Sequence, residues 1–153
     1  MGVWSVGILD TGITDEAQDV IGISRRSWDF SYGNADTDGG RPVGTHHDWV
    51  AREIYKVNPK LERIDYQISS NYETINHLYP INNALSSLRS LHDAGEKIGA
   101  YNMSVAPTLD DLKTRAPWGA FPSARGRVDG ILEGMAAQFS RGYAFVIAEA
   151  RPG

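Results

Sequence analysis

Short apolar runs of strand length alternate along this chain with longer stretches whose apolar residues recur every three or four positions. That alternation restricts it to folds in which helices and strands share one core. Val3 to Leu9 reads as a buried strand and Ile23 to Phe30 as a weaker, partly exposed one. The stretch SYGNADTDGGRPVGT, from Ser31 to Thr45, is too rich in Gly, Asp, Asn and Pro to hold regular structure and predicts a long surface loop. Trp49, Val50, Ile54 and Val57 recur at helical spacing, so a helix is expected from His46 to about Val57, with Pro59 helping to end it. Ile64 to Ser69 is a candidate strand. A second helix is signalled from about Tyr79 to Ala94 by Ile81, Leu85, Leu88 and Leu91, with Gly95 as its C-cap. A strand from Ile98 to Val105, a helix from about Arg127 to Ser140 and a last strand from Tyr143 to Ala148 complete the pattern. Strands alternating with helices predict an α/β fold built on a parallel sheet, and the absence of a repeat or linker predicts one domain over residues 1–153.

Composition removes several function classes. A chain of 153 residues is long enough to hide roughly 70% of its unfolded surface in one core. Nineteen acidic residues against fifteen Lys and Arg, with no basic block, leave no footprint for nucleic acid. The lack of cysteine excludes a disulfide framework, a thiolate metal site and a cysteine nucleophile. Met1 stands almost directly before the first strand, without a signal-like leader, and no run of apolar residues is long enough for a bilayer. A cytoplasmic protein without a membrane partner is expected.

The sharpest local feature is VGILDTGI, residues 6 to 13, where an apolar run stops at Asp10 and Thr-Gly follows. In parallel sheets, ligands and catalytic groups gather beyond the carboxyl ends of the strands. Asp10 is therefore either a turn former accepting backbone N–H bonds or a carboxylate placed for chemistry. Retroviral-type aspartic peptidases carry the same triplet, but on all-β folds that the helical patterns contradict. Haloacid-dehalogenase-type phosphatases want a second Asp two residues on, where this chain has Gly12.

Three segments taken in order resemble the subtilisin-like serine peptidases, the subtilases. VGILDTGI looks like the family's Asp segment. HHDWVAREI, opening at His46, looks like a worn form of the His segment, His-Gly-Thr-His-Val-Ala-Gly, and YNMSVA, Tyr101 to Ala106, looks like the cleft-lining Asn-Met-Ser-Leu-Gly strand. The resemblance runs from about Val3 to the end of the chain and covers the N-terminal half of the family's fold. It implies a three-layer architecture, a mostly parallel sheet with helices on both faces. It also implies that Asp10 is the triad acid and His46 the general base, with Ser104, Val105 and Ala106 binding substrate. Aligning Val50-Ala51-Arg52 with Val-Ala-Gly selects His46; aligning Gly44-Thr45-His46 with Gly-Thr-His would put Val43 in its place, and His47 is a one-residue slip away.

Other readings compete for the same residues. His46 and His47 could merely cap a helix. A metal site on the two histidines and Asp48 is disfavoured, because adjacent helical side chains point apart and no third ligand is spaced for it. Asn34 to Gly39 resembles the opening of a calcium loop, but its twelfth position is Thr45, where a bidentate Glu belongs. No metal or cofactor is expected.

The departures from the family matter equally. No Gly-Thr-Ser segment carrying a nucleophile occurs in the 153 residues; Ser104 falls at a cleft-lining position and Ser123 in a loop. Arg151 stands near the place of the oxyanion-hole Asn, Ala106 replaces a glycine, and the glycine of the His segment is missing. The resemblance therefore implies a serine endopeptidase domain or subunit, with peptide or protein as substrate and the Ser supplied by a missing segment or another chain; the partner expected is a second chain carrying the Ser half or a further copy in a homo-oligomer. The alternative is an inactive pseudopeptidase that holds extended peptides. This chain alone is expected to be inactive.

Overall fold

The computed structural model describes residues 4–30, 45–68, 78–103 and 144–147. Their element order is β1 (Ser5–Asp10), α1 (Asp15–Ile21), β2 (Arg26–Asp29), α2 (Thr45–Val57), β3 (Glu62–Gln67), α3 (Leu78–Asp93), β4 (Ile98–Met103) and β5 (Ala144–Ile147). The five strands form one sheet in the order β2-β3-β1-β4-β5, and every pairing is parallel. An α/β fold on a parallel sheet is thus what the alternating pattern produces. The predicted helix at 127–140 lies outside the described residues, as do Ser104, Val105 and Ala106.

Side-chain alternation along β1 divides the core in two. Leu9 packs on one face with Ile64, Tyr66, Ile98, Tyr101 and Met103, and these are covered by Ile81, Ala84, Leu85 and Leu88 of α3. Ile8 faces the other way, against Ile13, Ala17 and Ile21 of the α1 region and Val50 and Ala51 of α2. Helices therefore cover both faces. The chain leaves the adjacent strands β1 and β3 toward opposite faces, to α1 and α3 respectively. Such a divergence opens a crevice at the carboxyl edge of the sheet.

Two elements differ from the sequence reading. The helix α1 has no periodic apolar signal in the sequence, although its capping signals are present. Thr14 caps it by accepting from Ala17 N, Asp15 and Glu16 fill the acidic first turn, and Gly22 ends it at φ 96°. In α2 the inward stripe is Val50, Ala51 and Ile54, whereas Trp49 and Val57, counted in the apolar periodicity, are 61% and 88% exposed. Both stripes share the helical period, so either one predicts a helix here. In α3 Ile81, Leu85 and Leu88 of the expected stripe are buried and Leu91 is only partly so, packed against the same core, and Gly95, at φ 87°, closes the helix while Glu96 N donates to Leu91 O.

At Gly7 the sheet leaves no room for a side chain. A Cβ there would stand 2.6 Å from Tyr101 Cδ1, with Leu88 behind it. Tyr101 is fully buried, so the ring has nowhere to withdraw. Gly7→Ala should lower stability by about 1–3 kcal/mol, the usual cost of overpacking, read as a shift in the urea midpoint at unchanged m-value.

Candidate functional site

The carboxyl ends of β1, β2 and β3 bring Asp10, Asp29 and Gln67 into register. All three are buried, and so are Arg63 and Asp65 further down β3. Over this polar stretch lies the first turn of α2, carrying His46, His47 and Asp48 in succession.

His46 turns toward β1. Its Nδ1 lies 2.9 Å from Asp10 Oδ1 and 2.8 Å from Oδ2. Asp10 is fully buried and also accepts a hydrogen bond from Thr11 N at 2.7 Å, while the His46 side chain is 29% exposed. A carboxylate on Nδ1 favours the tautomer in which that atom carries hydrogen, and directs Nε2, the other ring nitrogen, to act on a proton elsewhere. The Trp49 ring, one helical turn on, stands with its centroid 6.2 Å from that of His46. The acid and imidazole that the sequence singled out are therefore within hydrogen-bonding distance, and it is His46, not His47, that meets Asp10.

His47 turns the other way, into the protein, and is fully buried. Its Nδ1 accepts from Gly12 N at 3.0 Å, and its Nε2 lies 2.8 Å from Asp65 Oδ1. A nitrogen that accepts an amide N–H carries no hydrogen itself, so Nε2 is the donor to Asp65. Asp65 in turn accepts from Arg63 Nε at 3.1 Å and from the Ser24 hydroxyl. Burial acts to raise the Asp65 carboxyl, but the hydrogen bond from His47, the Arg63 guanidinium and the Ser24 hydroxyl outweigh it and hold the group below its ordinary 3.8. Arg63 also donates from its two terminal nitrogens to Ile21 O and Gly22 O, closing the end of α1.

Asp48 completes the turn. Its two oxygens accept from Thr14 N at 2.9 Å and Thr14 Oγ1 at 2.6 Å, and Thr14 Oγ1 itself caps α1. The starts of α1 and α2 are thereby tied together, on the same side as the Asp10–His46 pair.

Sequence reasoning found Asp10 and His46 and missed Asp65, Arg63 and Ser24. The available signal was a charged pair inside a strand, Arg63 and Asp65, alternating with Ile64, Tyr66 and Ile68. Asp48, weighed only as a metal ligand, is occupied by Thr14. Among the described residues no group of three or more His, Asp or Glu is placed to hold a metal ion, and no helix is long and apolar enough to cross a membrane.

The geometry also departs from a bare helix cap: the His46 ring and a buried strand-end carboxylate face each other. No family model, curated protein or solved structure matches the chain.

The Asp65 carboxyl yields a pH prediction. A carboxyl whose pKa is lowered by folding adds stability above its unfolded value, and that stability is lost as pH falls through the folded value. Stability should therefore decline as pH drops from about 4 through the range below it. Asp65→Asn should be less stable at neutral pH and show a shallower decline in acid, measured as urea midpoints against pH.

Proposed function

We propose that this chain supplies the acid and the base of a subtilisin-like serine endopeptidase, as the N-terminal half of that catalytic domain. The observation that carries the reading is the Asp10–His46 contact at 2.8 to 2.9 Å. It is supported by its place, at the carboxyl end of a central strand of a parallel sheet, opposite the head of a helix. Turn formation alone would account for Asp10 without engaging an imidazole.

In this reading a serine from another segment or a second chain attacks a peptide carbonyl. His46 Nε2 removes its proton, and the proton later passes to the leaving amine. Asp10 holds the ring orientation and stabilises the imidazolium as it forms, and the acyl-enzyme is then hydrolysed. Residues Ser104, Val105 and Ala106 follow β4 directly and are assigned to the substrate strand. The substrate is a peptide or protein, bound in extended form. No cofactor enters the scheme.

A second reading is a pseudopeptidase that binds peptides without cleaving them. It is favoured by the worn His segment and by Arg151 near the oxyanion Asn position. Losing one oxyanion donor typically costs about 10² to 10³ in rate, and losing the nucleophile more.

The experiment joins the chain, by fusion or co-expression, to a subtilase C-terminal segment carrying the Gly-Thr-Ser nucleophile and measures peptide hydrolysis. Activity is expected to appear only in the joined form and to fall about 10⁴-fold in Asp10→Asn, the scale seen when a triad acid is removed elsewhere. His46→Ala should abolish it. The chain alone should take no label from a fluorophosphonate probe. Labelling of a serine within it, or hydrolysis indifferent to His46→Ala, contradicts the proposal.

A further inference from the structure

The two histidines at the head of α2 are adjacent in sequence, yet only one faces the proposed reaction. The other is fully buried, makes two ring hydrogen bonds and has no part in the chemistry above. In the subtilase pattern the residue after the catalytic histidine is glycine, so the resemblance assigns no role to an imidazole there.

From these contacts we infer that His47 is a positioning residue that sets the distance between Asp10 and His46; the inference rests on the proposed acid and base roles of that pair. Three bonds converge on it. Its backbone N donates to Thr11 Oγ1 at 3.4 Å, its Nδ1 accepts from Gly12 N at 3.0 Å, and its Nε2 donates to Asp65 at 2.8 Å. Thr11 and Gly12 are the two residues directly after Asp10. The loop that aims the carboxylate is thereby clamped to the residue directly after the base. Asp65 anchors the clamp in the sheet, because it is itself gripped by Arg63 and Ser24 on a strand paired with β1. A side chain at 47 that cannot accept from Gly12 N frees the loop on one side, and one that cannot donate to Asp65 frees the helix on the other.

The clamp requires a single tautomer, with hydrogen on Nε2 only. Neither contact is replaceable by water at this depth without opening the turn, since the ring is fully buried. Catalytic geometry is sensitive to such displacement even when the displaced group never touches substrate.

The test uses the full chain labelled with ¹⁵N and two readouts from the histidine rings. In the unaltered protein, long-range ¹H–¹⁵N correlation should show His47 with hydrogen on Nε2 and an unprotonated Nδ1, and His46 with a slowly exchanging, downfield Nδ1 proton. In His47→Leu, that His46 proton should exchange at least about tenfold faster with water, as local opening becomes easier. His47→Asn, whose side-chain oxygen can still accept from Gly12 N, should recover part of the protection. A His47 ring with hydrogen on Nδ1 overturns the inference in the unaltered protein, so the result does not depend on whether a variant folds. An unchanged His46 proton in folded His47→Leu overturns it as well, while leaving the Asp10–His46 pair intact. Absence of the His46 proton before any substitution removes the pair itself, and the clamp with it.

Discussion

Two carboxylates on neighbouring strands, Asp10 of β1 and Asp65 of β3, each hold one of two consecutive histidines at the start of α2. The rest of the site depends on that double attachment. Consecutive residues on a helix point in different directions, so a single helix turn can engage two strands only if it sits across them. Once it does, the helix has little freedom to slide or rotate over the sheet. Thr14 and Asp48 then join α1 to the same turn, and Arg63 joins the other end of α1 to Asp65. The polar groups form a chain in which each buried charge meets a partner, the condition under which such groups are tolerated in a core.

The apolar packing provides the platform and not the specificity. On one face α3 covers Leu9, Ile64 and Tyr101, a conventional layer of aliphatic and aromatic side chains. On the other, α1 and α2 cover Ile8, but the same face of β3 carries Arg63, Asp65 and Gln67, all buried. An apolar seal there would be simpler and, by general experience with buried ion pairs, no less stable. The polar alternative fixes directions: an imidazole hydrogen-bonded at both nitrogens has one orientation, while a leucine in the same volume would have several.

The legibility of the molecule follows this division. The strand and helix pattern is readable because burial on α3 follows the helical period and β1 is one continuous buried run of strand length, and Asp10 is readable because an acid ends that run. His46 is reached only through the resemblance of HHDWVAREI to the subtilase His segment, since a helix start by itself implies no more than a cap. The Asp65 network is not readable, since polar residues alternating with Ile64, Tyr66 and Ile68 ordinarily mark a strand with one solvated face. Nothing local reveals that a helix turn will cover that face. The helix α1 escaped for a different reason: it spans seven residues with only Ala17 and Ile21 buried, too few for a periodic signal, and its evidence lies in its caps. Trp49 and Val57 show the opposite error, apolar residues in register with a buried stripe yet exposed.

The central claim is that Asp10 and His46 interact directly and not as two independent residues at a helix start. A double-mutant cycle on folding stability, with Asp10→Asn, His46→Ala and the double variant, isolates that interaction from the separate cost of each change. The account predicts a coupling of about 1–3 kcal/mol in favour of the pair, within the range for contacting residues in one network. Strictly additive effects of the two substitutions would contradict it.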